Sequence, residues 1–200
     1  GISTGGPNAL SRLLPLLPKD FPAAVLVVQH MPPGFTEVFA GRLSKTCALE
    51  VKEARDGDLV LPGRVLIAPG NFHLKIKKTA LGPIAVLSSR PPVNGHRPSA
   101  DVLFQSVAEE YGPRALGVIM TGMGEDGAEG IGAIKRAGGR TIAQDEKSSV
   151  VFGMPKAAIK TGCVDRVVSL DEMNGAIMSE LILEGGGKYL GNAQYDIKTK

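Results

Sequence analysis

Short apolar runs rich in β-branched residues recur along the chain, and glycine or proline marks most of the junctions between them and the amphipathic stretches that separate them. The runs cover residues 24–29, 65–68, 115–120, 141–144 and 164–169. They are mostly apolar along their whole length, which is typical of parallel strands that are buried on both faces. Because aromatic residues make up only 4% of the 200 residues, Val, Ile, Leu and Ala must fill the core. The pattern predicts a doubly wound α/β fold with a mainly parallel sheet.

The stretches between these runs predict helices and one hairpin. Apolar residues spaced four apart place one stripe on each of two helices: Phe35, Phe39 and Leu43, and Leu103, Val107 and Tyr111. Ser99 is in position to cap the second of these helices, and Ser169 with Glu172 forms a capping-box pattern. Residues 73–89 alternate in period 2 around a Gly82-Pro83 turn, which predicts an antiparallel hairpin extension of the sheet.

The length is that of one sizeable domain, which we place at residues 1–183. Residues 184–200 begin with Glu-Gly-Gly-Gly-Lys and continue as a polar tail that we expect to be loosely ordered. The sequence opens at Gly1 without an initiator Met, and most of the strand that should lead into Ser3 is missing. We therefore expect the first strand to be truncated and the chain to begin partway into a larger protein.

Composition excludes several classes of function. The formal charge is +3, from 23 basic and 20 acidic residues without a basic stripe, so we expect no nucleic-acid partner. Cys47 and Cys163 are isolated, which favours a reducing, cytoplasmic compartment and argues against a structural zinc site. The longest apolar run, residues 23–28, is far shorter than the roughly 20 residues of a membrane helix, so we expect no membrane insertion.

Three loops at predicted strand ends carry the residues of chemical interest, since sites in open α/β sheets form beyond the carboxyl ends of the strands. The first, Gly1-Ile-Ser-Thr-Gly, fits the pattern G-x-S-x-G, in which small residues let a serine sit exposed on a tight strand-to-helix turn. Ser3 is therefore a candidate nucleophile. The same Ser-Thr-Gly-Gly segment could equally be a helix cap or a loop that cradles phosphate.

A mechanism that depends on histidine must use His30, His73 or His96, since the chain has only three. His30 directly follows an apolar run and precedes Met-Pro-Pro-Gly, a loop stiffened by two prolines. His96 lies in a polar loop beside Arg97 and is a serious rival, with loop structure or a substrate contact as its other possible roles. His73 begins a hairpin strand and ranks last.

Asp126 lies in the third loop, Thr121-Gly-Met-Gly-Glu-Asp-Gly, and has two possible roles. With Glu129 it fits a capping box for a helix over residues 128–137. A buried carboxylate could instead accept Nδ1–H from a histidine and fix its tautomer, as in a serine triad. Of the adjacent pair Glu125 and Asp126, we prefer Asp126 because its shorter side chain fixes a partner more tightly. The order Ser…His…Asp differs from that of α/β-hydrolases.

In these motifs the chain resembles the catalytic domain of the protein-glutamate methylesterases of bacterial chemotaxis. The resemblance extends from Gly1 to about Ser169. It covers Ser3-Thr-Gly-Gly, Gln29-His-Met-Pro-Pro-Gly-Phe, Gly95-His-Arg-Pro-Ser-Ala-Asp-Val-Leu-Phe, Thr121-Gly-Met-Gly-Glu-Asp-Gly and Val151-Phe-Gly-Met-Pro. The resemblance implies that Ser3 is the nucleophile, His30 the base and Asp126 the orienting carboxylate.

The resemblance also implies the reaction and the partners. The family hydrolyses methyl esters of glutamate side chains on the cytoplasmic helices of chemoreceptors, and often deamidates receptor glutamines. It usually carries an N-terminal receiver domain, which the chemotaxis histidine kinase phosphorylates and which we do not expect within these 200 residues. On this basis we expect no cofactor and no metal, an oxyanion contact from the Met123 N–H, an ordering role for Thr4, and possible substrate contacts from His96 and Arg97. The alternative is a non-catalytic nucleotide- or phosphate-binding module, although G-x-G-x-x-G and Walker motifs are both missing.

Overall fold

The computed structural model describes residues 1–184. The strands are β1 (Val25–Val27), β2 (Glu50–Glu53), β3 (Arg64–Ile67), β4 (His73–Thr79), β5 (Gly82–Ser88), β6 (Leu116–Ile119), β7 (Arg140–Gln144) and β8 (Arg166–Val168). The helices are α1 (Gly6–Leu13), α2 (Phe35–Leu43), α3 (Ala100–Tyr111), α4 (Ala128–Arg136), α5 (Met154–Lys160) and α6 (Met173–Glu184). Each predicted strand and the predicted hairpin are present, with bounds that differ by one to a few residues.

The parallel strands form two groups that the first residues of the chain join. The strand orders are β2-β3-β1 and β6-β7-β8, parallel throughout. Residues 1–3 lie between β1 and β6. On one side Ile2 N donates to Val28 O at 2.9 Å, and on the other Ser3 N donates to Thr121 O at 2.9 Å. Ser3 is thereby placed at the centre of the sheet edge, between the exits of β1 and β6.

Helices cover both faces of the sheet, which confirms the doubly wound α/β fold. Strand β3 shows the two faces, since Val65 and Ile67 belong to one core and Leu66, with Ala68 directly after the strand, belongs to the other. Helices α1, α2 and α6 cover the core that contains Val65 and Ile67. Helices α3, α4 and α5 cover the core that contains Leu66. Both cores are aliphatic with few aromatic side chains, as the composition predicts.

The predicted hairpin is confirmed as an antiparallel pair, β4 with β5. Leu74, Ile76 and Ala85 bury one side of this hairpin in the core beside α3. Ile76 N also donates to Ser106 Oγ of α3 at 3.1 Å. At the first residue of β4, His73 Nδ1 accepts from the Ser99 N–H at 3.2 Å, so this end of the hairpin lies at the start of α3, where the candidate carboxylate is bound.

Some details differ from the sequence-based predictions. Strand β2, with one buried apolar residue in Glu-Val-Lys-Glu, gives no apolar run because it lies at the edge of the sheet. Phe35 is 64% exposed, although Phe39 and Leu43 of the same stripe are buried.

The capping box of Ser169 and Glu172 is confirmed by hydrogen bonds in both directions. Glu184 ends α6, and the rest of the predicted polar tail lies outside the described residues.

Candidate active site

Ser3 lies on a tight turn between the central segment of the sheet and α1. Gly5 adopts a left-handed conformation with φ of 83° at the N-cap of α1. A Cβ at this position would lie 2.7 Å from the side chain of Val150, so the turn requires glycine. Ser3 is partly exposed, and its Cβ would be 2.8 Å from a Cβ added to Gly122. The loops that follow residues 1–3 and β6 are therefore in direct contact.

His30 lies beside Ser3 because its backbone continues the pairing of the sheet. Its N–H donates to Ile2 O at 3.2 Å. Its Nε2 lies 2.7 Å from Asp126 Oδ2, and the two side chains are 9% and 0% exposed. The structure thus brings His30 and Asp126 into a buried hydrogen bond, from loops 96 residues apart in sequence.

The ring nitrogen that meets Asp126 is the opposite of the one expected. The expectation that the carboxylate accepts Nδ1–H is wrong, since the contact is made by Nε2. Asp126 is held at the start of α3. The imidazole of His30 reaches it there with Nε2, the ring nitrogen that is farther from the His30 backbone. His30 Nδ1 is buried and has no hydrogen-bond partner within residues 1–184. In this conformation neither ring nitrogen is therefore hydrogen-bonded to Ser3 Oγ.

The Asp126 carboxylate is bound at the N-terminus of α3. It accepts hydrogen bonds from Ser99 Oγ at 2.6 Å and from the N–H groups of Ala100 and Asp101 at 2.7 and 3.3 Å. Burial alone would raise the pKa of this carboxyl, but the hydrogen bonds from His30, Ser99 and Ala100 outweigh burial and lower it below its ordinary value. Asp126 is therefore ionised at neutral pH and orients the Nε2–H of His30.

The two capping predictions at this site are wrong. Asp126 does not cap α4, whose N-cap is Gly127 without a side-chain hydrogen bond. Ser99 does not cap α3 with its side chain either, because its hydroxyl donates to Asp126. The Asp126 carboxylate, from another loop, accepts the hydrogen bonds of the first N–H groups of α3 in place of a capping side chain. The N-terminus of a helix favours such an anion.

Gln29 is a site residue that sequence reasoning missed. It is 2% exposed, and its Nε2 donates to Ser3 O and to His30 O, each at 3.1 Å. One amide thereby ties the loop of the candidate nucleophile to the loop of the candidate base. The available signal was a polar side chain at the end of an otherwise apolar run, since a buried polar group needs partners.

Thr4 and Met123 lie near Ser3 without contacts that fix a role. Thr4 is exposed, and its carbonyl accepts a hydrogen bond from Thr121 Oγ1 at 2.8 Å. The Met123 side chain is 71% exposed. The neighbouring Gly122 is fully engaged, with its N–H bonded to Val151 O and its carbonyl accepting from Gly153 and Met154. These bonds fasten the backbone before Met123 to residues 151–154, and the bond from Ser3 N–H to Thr121 O joins the same loop to Ser3.

The remaining candidates have structural surroundings of their own. Arg97 donates to Asn71 Oδ1 and to the carbonyls of Ser89 and Arg90, so it fastens its own loop to the loop between β3 and β4. The His73 ring is buried, with Nε2 3.0 Å from Pro91 O and Nδ1 accepting from Ser99 N at 3.2 Å. The His96 ring stacks on that of His30.

A groove in two parts lies beside the site and reaches His30. Its larger part, about 820 Å³, is lined by Asn94, His96, Glu125, Gly153, Lys156 and Lys160 among others. A smaller depression of about 250 Å³ is lined by His30, Met31, Pro32 and Arg97, with His96 shared between the two. Among residues 1–184 no group of three or more His, Cys, Asp and Glu side chains could hold a metal ion. No helix in this part of the chain is long and apolar enough to cross a membrane.

Comparison with known proteins gives the same family over nearly all of the described chain. The model of the CheB methylesterase family matches residues 1–177. A protein-glutamate methylesterase/protein-glutamine glutaminase of Koribacter versatilis is 62% identical over 89% of this chain and 49% of its own length. One from Pyrococcus horikoshii is 49% identical over 92% of this chain and 50% of its own length. The chain therefore spans about half the length of the curated relatives it matches.

A solved structure agrees with these matches. The crystal structure of the Thermotoga maritima CheB methylesterase catalytic domain is 45% identical, with a TM-score of 0.88, and the similarity covers 90% of this chain and 95% of that one. The resemblance stated from the sequence motifs is thus confirmed by sequence and by fold.

Proposed function

Because the chain belongs to the CheB methylesterase family, we propose that it is a serine hydrolase that removes methyl groups from glutamyl methyl esters of chemoreceptors and also deamidates receptor glutamines. The observation that carries this proposal is the buried hydrogen bond between His30 and Asp126, with His30 Nδ1 left without a partner beside Ser3. An imidazole oriented at one nitrogen and unpartnered at the other is the arrangement that a general base requires. In this proposal Ser3, His30 and Asp126 are the catalytic residues.

The proposed reaction is an acyl transfer in two steps. Ser3 Oγ attacks the δ-carbonyl of the glutamyl ester while His30 Nδ1 takes the hydroxyl proton, and Asp126 stabilises the resulting imidazolium through Nε2–H. Collapse of the tetrahedral intermediate passes that proton to the leaving methanol, or to ammonia when the substrate is an amide. Water then gives a proton to Nδ1 and attacks the acyl-enzyme. Collapse of the second tetrahedral intermediate breaks the bond from the acyl carbon to Ser3 Oγ, passes that proton from Nδ1 to Oγ, and releases the glutamate side chain.

The Met123 N–H is the proposed donor to the oxyanion of each tetrahedral intermediate, since its loop is joined to Ser3 by the bond from Ser3 N–H to Thr121 O and touches Ser3 at Gly122. Loss of one such donor typically lowers the rate about 10²- to 10³-fold. The Thr4 hydroxyl is the proposed group that orders the site. No step requires a metal or a cofactor, because an imidazole activates the serine.

The shape and charge of the groove support a protein segment as substrate. The groove is open and passes directly over His96 and His30. Lys156 and Lys160, one helical turn apart on α5, form no ion pair within residues 1–184. They are suited to the acidic neighbours of a methylated glutamate on a cytoplasmic receptor helix. Arg97 is less suited to this role because its guanidinium already bonds two carbonyls of its own loop and the Asn71 side chain of another.

Regulation belongs to the same proposal. The curated relatives are about twice as long as the matched region, which is consistent with a separate receiver domain that the chemotaxis histidine kinase phosphorylates. The reaction would then take place in the cytoplasm, where the methylated receptor helices lie. The partners of this chain are therefore proposed to be the receptor helices directly and the kinase through that receiver domain.

A fluorophosphonate probe that reacts with activated serines tests the proposed chemistry. We expect labelling at Ser3, located by peptide mass mapping, with none in Ser3→Ala and a strong reduction in His30→Ala. The matched control is Ser11→Ala, since Ser11 is exposed on α1 and its loss should leave labelling unchanged. Methanol release from methylated receptor fragments should follow the same pattern.

The same experiment separates the enzyme from the alternative of a nucleotide-binding module. Such a module would remain unlabelled, release no methanol and be stabilised against heat by ATP or NAD. An unlabelled Ser3 in folded protein would contradict the proposed function.

A further inference from the structure

The imidazole rings of His30 and His96 lie face to face. Their centroids are 3.8 Å apart and their planes differ by 9°. The two residues come from different loops, one after β1 and the other before α3, so chain connectivity does not impose the contact. Since His96 is only half-buried, core packing alone does not account for the stack.

The turn that carries His96 is built to hold the ring in this place. Val93 and His96 exchange two backbone hydrogen bonds of 3.0 and 2.9 Å. Between them Asn94 and Gly95 have positive φ angles of 51° and 75°, the conformation of a tight two-residue hairpin turn. Asn94 Nδ2 also donates to the Asp101 carboxylate at 2.8 Å. The turn is thus fastened to α3, the same helix whose N-terminus binds Asp126.

The His30 ring needs a second contact because its single hydrogen bond to Asp126 does not fix the orientation of the ring plane. Asp126 holds Nε2 at 2.7 Å, and Nδ1 has no partner within residues 1–184. Rotation of the ring about its bond to Cβ would change the direction in which Nδ1 points. A flat ring 3.8 Å from its face blocks that rotation sterically.

We propose that His96 is a positioning residue for His30, whose stacked ring fixes the plane of the proposed base so that Nδ1 faces Ser3. The inference rests on the proposed function insofar as His30 is the base. A neutral aromatic face against His30 also favours the imidazolium that forms during each step. Burial, followed by the proximity of His30, lowers the pKa of His96, so the His96 ring is neutral at neutral pH.

The geometry favours positioning over a direct role in the reaction. The His96 ring makes no hydrogen bond to Asp126, whose oxygens are bound by His30 and the start of α3. His96 also lines both parts of the groove, so a substrate contact is the competing role. The two roles differ in which kinetic constant responds to substitution.

The test compares His96→Ala with His96→Phe in ester hydrolysis. Phenylalanine keeps a flat ring but has no nitrogen, so it should restore what stacking supplies. We expect His96→Ala to lower kcat about 10- to 100-fold with KM within about twofold, because small misplacements of catalytic groups have effects of this size. We expect His96→Phe to stay within about threefold of the wild-type kcat.

Other outcomes overturn the proposal. Equal loss of kcat in both variants would assign the effect to the imidazole nitrogens instead of the ring plane. A raised KM with unchanged kcat in His96→Ala would assign His96 to substrate binding. An unchanged His96→Ala enzyme would remove any role in the reaction.

A measurement without substrate keeps this proposal separate from the proposed function. The chain has three histidines, so ¹⁵N-labelled histidine gives ring signals that His30→Ala and His73→Gln assign. We expect the His30 ring signals to be sharp in the wild type and in His96→Phe, and exchange-broadened in His96→Ala. Sharp, unshifted His30 signals in a folded His96→Ala protein would contradict the positioning role. Absence of methyl ester hydrolysis by the wild type would instead contradict the proposed function alone.

Discussion

At the scale of single residues, Asp126 makes two contributions with one carboxylate. It orients His30 through Nε2, and it satisfies the first N–H groups of α3. Three donors besides His30 bind its two oxygens. The Asp126 side chain therefore cannot move with the imidazole of His30. The position of the proposed base is thereby tied to the position of α3.

Asp126→Asn should weaken both contributions. We expect ester hydrolysis to fall on the order of 10³- to 10⁴-fold, because an amide favours the wrong tautomer of the partner imidazole. We expect the free energy of unfolding at pH 7 to fall by about 1–3 kcal/mol, the range for hydrogen bonds to a charged group. Urea unfolding measures the second effect, and Asp20→Asn, at an exposed position, is the control.

The stability difference should depend on pH in a definite direction. Because the pKa of Asp126 is lowered in the folded protein, its carboxylate stabilises the fold fully above the unfolded value of about 3.9. This contribution is lost as the pH falls through the lower folded pKa. The difference between wild type and Asp126→Asn should therefore be constant from pH 5 to 7, as checked by urea unfolding at each pH, and shrink below about pH 4. A difference that grows on acidification would contradict this assignment.

At the scale of elements, the loops that follow β1 and β3 pack so closely that one of them must contain glycine. A Cβ on Gly70 would lie 2.5 Å from Pro33 N and 2.6 Å from the carbonyl carbon of Pro32. Both atoms belong to the backbone, so neither can move like the end of a side chain. Gly70 N also donates to Thr36 Oγ1 at 3.0 Å, which fixes its loop to α2. Pro32 and Pro33 follow soon after His30, so this contact helps to fix the position of the loop that carries the proposed base.

Gly70→Ala should displace the proline loop. We expect kcat to fall about 10- to 100-fold through the position of His30, and the free energy of unfolding to fall by about 1–3 kcal/mol through overpacking. Gly41→Ala is the matched control, because Gly41 lies within α2 and a Cβ there would meet no atom within 4 Å. That control should be neutral or slightly stabilising. Full activity in Gly70→Ala would show that the loop can shift without moving the base.

Sequence patterns predicted the elements that are buried and missed those whose position depends on other parts of the chain. The runs at β3 and β7 were readable because both faces of these strands are covered. Strand β2 was not, since an edge strand needs few apolar residues. Ser3, His30 and Asp126 were singled out as candidates because each follows a predicted strand end. The choice of Nε2 over Nδ1, the anchoring of Asp126 by α3 and the stack of His96 all depend on how distant loops meet, and no local spacing encodes that.

At the scale of the whole molecule, one sheet separates two cores, and residues 1–3 at its centre connect its halves. Leu43 of α2 belongs to one core and Leu103 of α3 to the other, and each is 1% exposed. Strand β3 alternates its side chains between the two cores. Neither core can therefore lose its packing without exposing the strands that the other core covers.

Leu43→Ala and Leu103→Ala should consequently have the same kind of effect although they lie on opposite faces. We expect each to lower the free energy of unfolding by about 2–5 kcal/mol through a buried cavity, and each variant to unfold in one cooperative transition. Urea unfolding followed by circular dichroism and by tyrosine fluorescence measures both quantities. Leu81→Ala, at a side chain that is 92% exposed, should change stability by no more than about 0.5 kcal/mol. If Leu103→Ala produced two separate transitions, the two cores would be independent, and the rigid coupling between α3, Asp126 and His30 could not extend across the sheet.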